Sequence, residues 1–258
     1  MMKNLAIVQA RMGATRLPGK VLKDFAGKPD IQRVIDRLSM SDKIDEIVVA
    51  TSIDTANLPL ISYCADYKIR VFVGSENDVL DRYYQAAKLF HPVNVIRITA
   101  DCPLIDPRVV DQVIELHEKS DNDYTSNTID VTYPDGLDTE IMTFEALHDE
   151  WKCADMASER EHVTQYLIKN SRYKKSCLYN DIDYSGMRWT LDTQEDYDFL
   201  NTVYDYFGDK MFYMDDVIAF LNEHPEVQKI NGQYERNEGL AKSVREDHKV
   251  NVEDTENE

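Results

Sequence analysis

The first half of the chain alternates two hydrophobic periods, and that alternation leaves few folds open. Leu5–Ala10, Glu46–Thr51, Arg70–Val73 and Val93–Thr99 are short apolar runs rich in Val and Ile, the pattern of strands buried on both faces. Between them apolar residues recur at helical spacing. Ile31, Val34, Ile35 and Leu38 follow i, i+3, i+4, i+7, with Pro29 near the start, where a missing N–H costs least. Residues 59–67, 77–90 and 107–118 read the same way. Strand and helix in turn at this spacing predict right-handed βαβ units and a parallel sheet covered on both faces. The rhythm changes after Asp121. "TEIMTFEAL" predicts a strand entering a helix, residues 155–170 and 194–207 predict further helices, and "RWTLDT" predicts a strand ahead of the last. This half is expected to extend the same sheet with mixed strands, giving one α/β domain over residues 1–235. Residues 236–258 mix charges with few apolar side chains, which predicts an acidic, disordered tail.

Composition narrows the partners. With 258 residues, 43% hydrophobic and 30% charged, the chain reads as a soluble globular protein with a full core. No apolar run approaches the roughly 20 residues that span a bilayer, and Leu5–Val8 is too short for the apolar region of a signal peptide. The expected location is therefore cytoplasmic. Cys64, Cys102, Cys153 and Cys177 form no C-x-x-C pair, so buried free thiols are expected rather than a disulfide framework or zinc site. A net charge of −19 argues against nucleic acid or an anionic membrane as partner. The first 28 residues run against that charge. Lys3, Arg11, Arg16, Lys20, Lys23 and Lys28 face only Asp24, a basic island suited to a small anionic ligand.

Three of those six cations, Arg11, Arg16 and Lys20, lie in "QARMGATRLPGK", the loop after the first expected strand. In open α/β sheets ligands sit outside the carboxyl ends of the strands, where this loop emerges. It contains no G-x-G-x-x-G, and it lacks the spacer and the Ser or Thr of a Walker A loop, which disfavours both a dinucleotide-binding enzyme and a P-loop NTPase. Its chemistry still suits phosphate. Gly13 and Gly19 let backbone N–H groups approach a ligand. Arg11 can clamp a phosphate with two donors, Lys20 supplies a point charge, and Pro18 stiffens the loop. A solvated basic turn would need no such set of cations.

The same loop resembles the signature of the sugar-activating cytidylyltransferases, the family of CMP-Kdo and CMP-sialic acid synthetases, and within it the spore coat polysaccharide group. Further similar blocks follow in order: "GSENDVLDRYYQAA", "RITADCPLIDP", "PDGLDTEIMTFEAL", "EREHVTQYL", "RWTLDTQEDYDFL" and "INGQYERNEGLAKS". The resemblance implies a three-layer Rossmann-like nucleotidyltransferase fold with a mostly parallel mixed sheet. It also implies transfer from CTP to a sugar with release of pyrophosphate, Mg²⁺ as cofactor, and commonly a homodimer. Ala10, Arg11, Gly13, Arg16 and Lys20 would then bind nucleotide, with Arg11 and Lys20 on the triphosphate. Arg82 is implicated in the base pocket. Thr99 stands where some relatives carry a base-reading glutamine, and "ADCP" departs from the "GDEP" of Kdo-activating relatives.

Such a transfer needs acids at strand ends to hold the metal. Asp101 closes "VIRITAD", sharing a face with Arg97 and Thr99 by period-two alternation, and Pro103 stops the strand. Asp192 lies just past an apolar stretch; on residues alone it is equally an N-cap aspartate, and the resemblance assigns it to the metal with Asp101. Arg11, Lys20 and Asp101 are thus the expected catalytic set. Asp135, Asp138 and Glu140 in "YPDGLDTE" are candidates for sugar hydroxyls, although "PDG" is also a plain turn signal. His162 is a further sugar-site candidate. Two other functions stay open: a guanylyl- or uridylyltransferase or nucleotide-sugar-dependent glycosyltransferase on the same fold, and a non-catalytic nucleotide-binding protein. The sugar itself, whether a nonulosonic acid, a Kdo-like acid or a simpler cell-surface sugar, is not named by the residues.

Overall fold

A computed structural model describes residues 2–234 and 236–250. In chain order the strands and α-helices begin β1 (Asn4–Gln9), β2 (Asp24–Phe25), β3 (Lys28–Pro29), α1 (Asp30–Leu38), β4 (Glu46–Ser52), α2 (Leu58–Asp66), β5 (Arg70–Gly74), α3 (Val79–Phe90), β6 (Asn94–Thr99) and α4 (Pro107–Ser120). The second half adds β7 (Tyr124–Ser126), β8 (Glu140–Thr143), α5 (Phe144–Cys153), α6 (Ala157–His162), α7 (Gln165–Lys169), β9 (Lys175–Cys177), α8 (Gln194–Phe207), α9 (Met214–Glu223) and α10 (Glu238–Arg245). The main sheet runs β5-β4-β1-β6-β8-β7-β9. β1, β4, β5 and β6 are mutually parallel, β8 is antiparallel to both neighbours, and β9 is parallel to β7. β2 and β3 form a separate two-stranded hairpin.

Period-two alternation on β1 sets the three layers. Leu5 and Ile7 join a core with Leu80, Tyr83 and Ala87 of α3 and with Leu147 and Trp151 of α5. Ala6 and Val8 point to the other face, where Ile31, Val34 and Leu38 of α1, Leu60 of α2 and Val110, Val113 and Ile114 of α4 cover the sheet. A third core gathers Phe199, Leu200 and Val203 of α8 with Val217, Phe220 and Leu221 of α9. Arg37 ties this flank to α1: its Nε donates to Ile105 O at 2.6 Å and its Nη2 to Phe212 O at 2.8 Å, all buried. Arg37→Met would strand both carbonyls, so a loss of about 2–4 kcal/mol is expected, read as a lower urea midpoint with unchanged slope.

Several expectations differ from the structure. "RWTLDT" is extended but is not a strand of the sheet. It makes one bridge, Arg188 with Asp135, and bonds Asp101 through Leu191 N. Its alternation is real: Trp189 and Leu191 fill the third core, while Arg188, Thr190 and Asp192 face a cavity. The helix expected over 155–170 is two, α6 and α7, separated at Val163, whose φ of 65° and ψ of −62° break the helical path. Thr164 N donates to His162 O at 2.7 Å across it, a γ-turn. The segment expected to be a loose tail from residue 236 carries α10. That helix buries no side chain; what holds it is polar, including Arg16–Glu238 at 2.8 Å and His162 Nε2 to Ser243 Oγ at 3.0 Å. Residues 251–258 of that expected tail lie outside the described residues. All four cysteines are free, but Cys153 is exposed and Cys177 half-buried rather than in the core.

Candidate active site

The loop after β1 is built to stay open at the carboxyl end of the sheet. Gly19 N donates to Met12 O at 2.9 Å, closing it, and Met12 N donates to Asn57 Oδ1 at 2.8 Å, fastening it to the N-cap residue of α2. Leu17 and Val21 are buried in separate cores and act as its roots. Gly19 has φ of 71°, a left-handed conformation that a side chain disfavours, and this turns the chain so that Lys20 enters the cleft. Lys20 Nζ donates to Asp101 Oδ2 at 2.8 Å and to Asp192 Oδ1 at 2.7 Å. Residues 81 and 172 positions away in sequence thus meet at one atom.

Asp101 sits in the turn beyond β6, where Ala100 N bonds Gln9 O at 2.9 Å and keeps the turn beside β1. The main-chain oxygen of Asp101 accepts from Leu191 N at 2.8 Å and from Thr190 Oγ1 at 3.2 Å, so the two aspartates are held by a backbone link independent of their side chains. Asp192 precedes α8, whose N-cap is Thr193 in a capping box with Asp196. Asp192 is therefore not itself the cap. Burial pushes the Asp101 carboxyl up, but attraction to Lys20 and its hydrogen bonds overcome this and hold it at about 2. Burial likewise opposes charge on Lys20, and Asp101 and Asp192 outweigh it, raising the lysine above its ordinary value.

Two cavities meet at this cluster. The larger, about 610 Å³, is lined by Ala10, Arg11, Arg16, Lys20, Arg82 and Thr99 among others. The smaller, about 350 Å³, is lined by Arg97, Asp135, Asp138, Glu140, Thr164 and Arg188 among others. Asp101, Asp192, Thr99, His162 and Arg16 border both. Gly13 is the expected nucleotide residue that stands apart: it is exposed and lines neither cavity. Arg82 is 1% exposed, and its Nε and Nη1 have no hydrogen-bond partner. Buried donors are normally hydrogen-bonded, so these free donors beside the cavity, like the unpartnered Nε of Arg97 and of Arg236, leave positions that an anion or ordered water would satisfy. Burial first, and then Arg11 among the nearby charges, draws its pKa down.

The smaller cavity is floored by ion pairs. Arg97 bonds Glu140 at 2.9 Å, and Glu140 also accepts from the Tyr124, Thr128 and Thr164 hydroxyls. Arg188 grips Asp196 with Nε and Nη2, both at 2.9 Å, and reaches Asp135 at 3.2 Å. Arg236 pairs with Asp138. Burial carries the Asp138 carboxyl up to about 7 against the pull of Arg236. His162 is lowered by burial, so the ring adds no fixed positive charge near neutral pH. The γ-turn at Val163 brings His162 and Thr164 to the same wall. Gly136, at φ 109°, lets the turn carrying Asp135 press against the extended segment: a Cβ there would meet Trp189 C at 2.6 Å and Trp189 O at 2.7 Å. Gly136→Ala is expected to cost at least about 2 kcal/mol, a fall in Tm of several degrees on the scale of about 2–4 °C per kcal/mol. Unchanged melting would remove the role given to that turn.

Arg97, Arg188, Arg236 and Glu238 were not among the expected site residues. Arg97 shares the strand face of Thr99 and Asp101, and Arg188 alternates with Thr190 and Asp192, so periodicity carried a signal for both. Arg236 and Glu238 sat in a segment whose composition suggested no structure.

A three-layer sheet with a cationic loop and paired acids at its carboxyl edge is the Rossmann-like nucleotidyltransferase fold, and solved structures agree. A cytidylyltransferase from Leptospira borgpetersenii superposes with TM-score 0.85 at 32% identity, covering 91% of this chain and 100% of that one. A CMP–2-keto-3-deoxy-manno-octonic acid synthetase complexed with CTP shares the fold at TM-score 0.60 and 16% identity, over 79% of this chain and 99% of that one. The profile of the cytidylyltransferases matches residues 5–217, and the chain belongs to that family. The spore coat polysaccharide biosynthesis protein SpsF of Bacillus subtilis is 32% identical over 86% of this chain and 95% of its own length. An uncharacterized protein of Methanocaldococcus jannaschii is 34% identical over 89% of this chain and 95% of its own length.

Proposed function

We propose that the chain transfers a cytidylyl group from CTP to a hydroxyl of a cell-surface sugar and releases pyrophosphate. The observation that carries this is the meeting of Lys20, Asp101 and Asp192 at the junction of two cavities. One cavity has the cations a triphosphate requires and the other has the hydroxyl-matching groups a sugar requires. Nucleotidyl transfer needs that arrangement, because the α-phosphate must lie between its two neighbours.

The donor set fits a small hard cation. Asp101 Oδ2 and Asp192 Oδ1 converge within 2.8 Å of one point, held here by an ammonium. Among the described residues no group of three or more His, Cys, Asp and Glu could hold a metal. Two carboxylates with phosphate oxygens and water completing the shell is how Mg²⁺ is usually bound. Asp101 and Asp192 would hold it, and bound there it would neutralise charge on the α-phosphate. Lys20, freed from the carboxylates, has the reach and charge to follow the β- and γ-phosphates, with Arg11 and Arg16 beside it on the same loop. Arg82, with its two unbonded donors, lies where it can take the nucleoside end or a phosphate oxygen. As the acceptor oxygen approaches, these residues hold the departing pyrophosphate in line. Most of the rate comes from that positioning and from charge matched in advance.

A pyrophosphate-release assay tests this, pairing each of the four nucleoside triphosphates with a sugar library and Mg²⁺. CTP is expected to be the preferred donor by at least about tenfold, the scale of one good polar contact to the base. Equal use of all four, or preference for GTP or UTP, would contradict the cytidylyl reading. Tight nucleotide binding with no product in any mixture would point to a non-catalytic nucleotide-binding protein.

A further inference from the structure

α10 borders both cavities yet buries no side chain. We infer that α10 is a strap over the nucleotide site and that Lys242 on it supplies a further cation to the triphosphate, an assignment that rests on the chain using a nucleoside triphosphate as donor.

The segment is fastened on both sides of the helix. Ahead of it, Arg236 Nη1 donates to Tyr133 O at 3.0 Å and Arg236 Nη2 pairs with Asp138. Behind it, Asp247 accepts from Ser158 N at 2.9 Å and from Ser158 Oγ at 2.7 Å, and Val250 N donates to Asp155 O at 2.8 Å. Between these ties the hydrogen bonds from α10 to the body go to Arg16, Glu161 and His162. An eight-residue helix is below the roughly 12–15 residues at which helices begin to hold on their own in water. Its place is therefore set by the ties, and they lay it along the cavity mouths: Leu240 lines the smaller cavity, Lys242 the larger, and Glu238 and Gly239 both. Hydrophobic burial gives no reason for a helix there, whereas closing a site over its ligand does.

Charge identifies what the strap brings. Arg11, Arg16, Lys20, Arg82, Arg97 and Lys242 border the larger cavity. Arg16, Lys20 and Arg97 are already paired with acids. Among the described residues Arg11, Arg82 and Lys242 have no ion-pair partner. Arg82 is buried and Arg11 belongs to the loop after β1, so Lys242 is the unmatched cation that arrives from elsewhere in the chain. It is exposed, and a compact ammonium on a flexible stem can follow phosphate oxygens as they move. Arg16 joins the loop to the strap through Glu238, with the two side chains 44% and 45% exposed. A pair that open is weak, so a triphosphate can draw Arg16 away from Glu238. The nucleotide tail then lies between Arg11, Arg16 and Lys20 of the loop and Lys242 of the strap, with less water at the mouth.

The test uses the full chain with Mg²⁺. Calorimetry compares CTP with CMP, which lacks the β- and γ-phosphates, for the wild type, Lys242→Met and Lys242→Arg. Lys242→Met should weaken CTP binding about tenfold, the scale of one charge-assisted bond, and leave CMP binding within about twofold. Lys242→Arg should keep most of the CTP affinity. Amide hydrogen exchange in α10 should slow when CTP binds the wild type. The inference is overturned if CTP affinity in Lys242→Met stays within about twofold of wild type, or if CTP and CMP lose equally. It is also overturned by unchanged or faster exchange in α10 with CTP bound, since the strap would then be idle or displaced. Failure of the cytidylyl reading looks different. A wild type that binds GTP or UTP in place of CTP, with the same loss in Lys242→Met, defeats that reading and keeps the strap. Binding of no nucleoside triphosphate defeats both.

Discussion

Asp101→Asn is expected to lower pyrophosphate release from CTP by at least about 10³-fold, the scale on which a lost electrostatic contact to a transition state acts. The side chain keeps its size, and the backbone link survives: Asp101 O still accepts from Leu191 N and Thr190 Oγ1. Lys20 also keeps Asp192 as a partner at 2.7 Å. The fold should therefore persist, checked by circular dichroism and by a Tm within a few degrees of wild type. What changes is the charge between the two cavities and the oxygen available to a cation. Asp192→Asn should act in the same direction, and the double variant should be little worse than either single one, because residues that serve one centre are not additive. Turnover near wild type in both single variants would remove these acids from the chemistry.

Lys20→Met has the second large effect, and it separates binding from folding. Without the ammonium, two carboxylates face each other across a largely buried junction. Lys20 opposes the effect of burial on Asp101, so in the variant that carboxyl should shift upward. Since the aspartates are partly open to solvent, a loss of about 2–3 kcal/mol is expected rather than the full penalty of a deeply buried broken pair. That corresponds to a fall in Tm of roughly 5–10 °C. The pH dependence has a definite sign. A carboxylate held at about 2 contributes stability that is complete above about pH 4 and lost as pH falls toward 2. The stability gap between the wild type and Lys20→Met should therefore be widest above about pH 4 and narrow as pH falls toward 2, because the wild type loses this contribution while protonation relieves the variant's unpaired carboxylates. Mg²⁺ should raise the variant's Tm more than the wild type's, because no ammonium competes for the same oxygens. CTP affinity should fall about 10–100-fold, the worth of a charge-assisted bond. Unaltered melting and unaltered CTP affinity would show that the lysine is not the centre of the site.

How much of this was readable in advance depends on which force holds each part. The parallel sheet was legible because Leu5 and Ile7 against Ala6 and Val8 are buried on opposite faces, and burial on both faces writes itself into composition. The cationic loop was legible because its charges oppose the rest of the chain. "RWTLDT" misled because alternation reports which side chains face a core, not whether the backbone pairs in a sheet. Trp189 and Leu191 alternate with cavity-facing residues on a segment that bonds mainly to turns. Val163 gave no Gly or Pro to announce a break; its left-handed φ is imposed by packing, since the side chain is wholly buried. α10 escaped notice for a different reason. Ion pairs such as Arg16–Glu238 couple residues 222 positions apart, and no local pattern encodes them. The membrane reading rests on less: among the described residues no helix is long and apolar enough to cross a bilayer.

Convergence of Lys20, Asp101 and Asp192 on one metal–nucleotide centre is tested most directly by calorimetric titration of CTP, with and without Mg²⁺, into the wild type and the Asp101→Asn/Asp192→Asn double variant. Mg²⁺ should strengthen CTP binding to the wild type by at least about tenfold and leave binding to the folded double variant unchanged. Equal Mg²⁺ enhancement in both proteins would contradict the assignment of these aspartates.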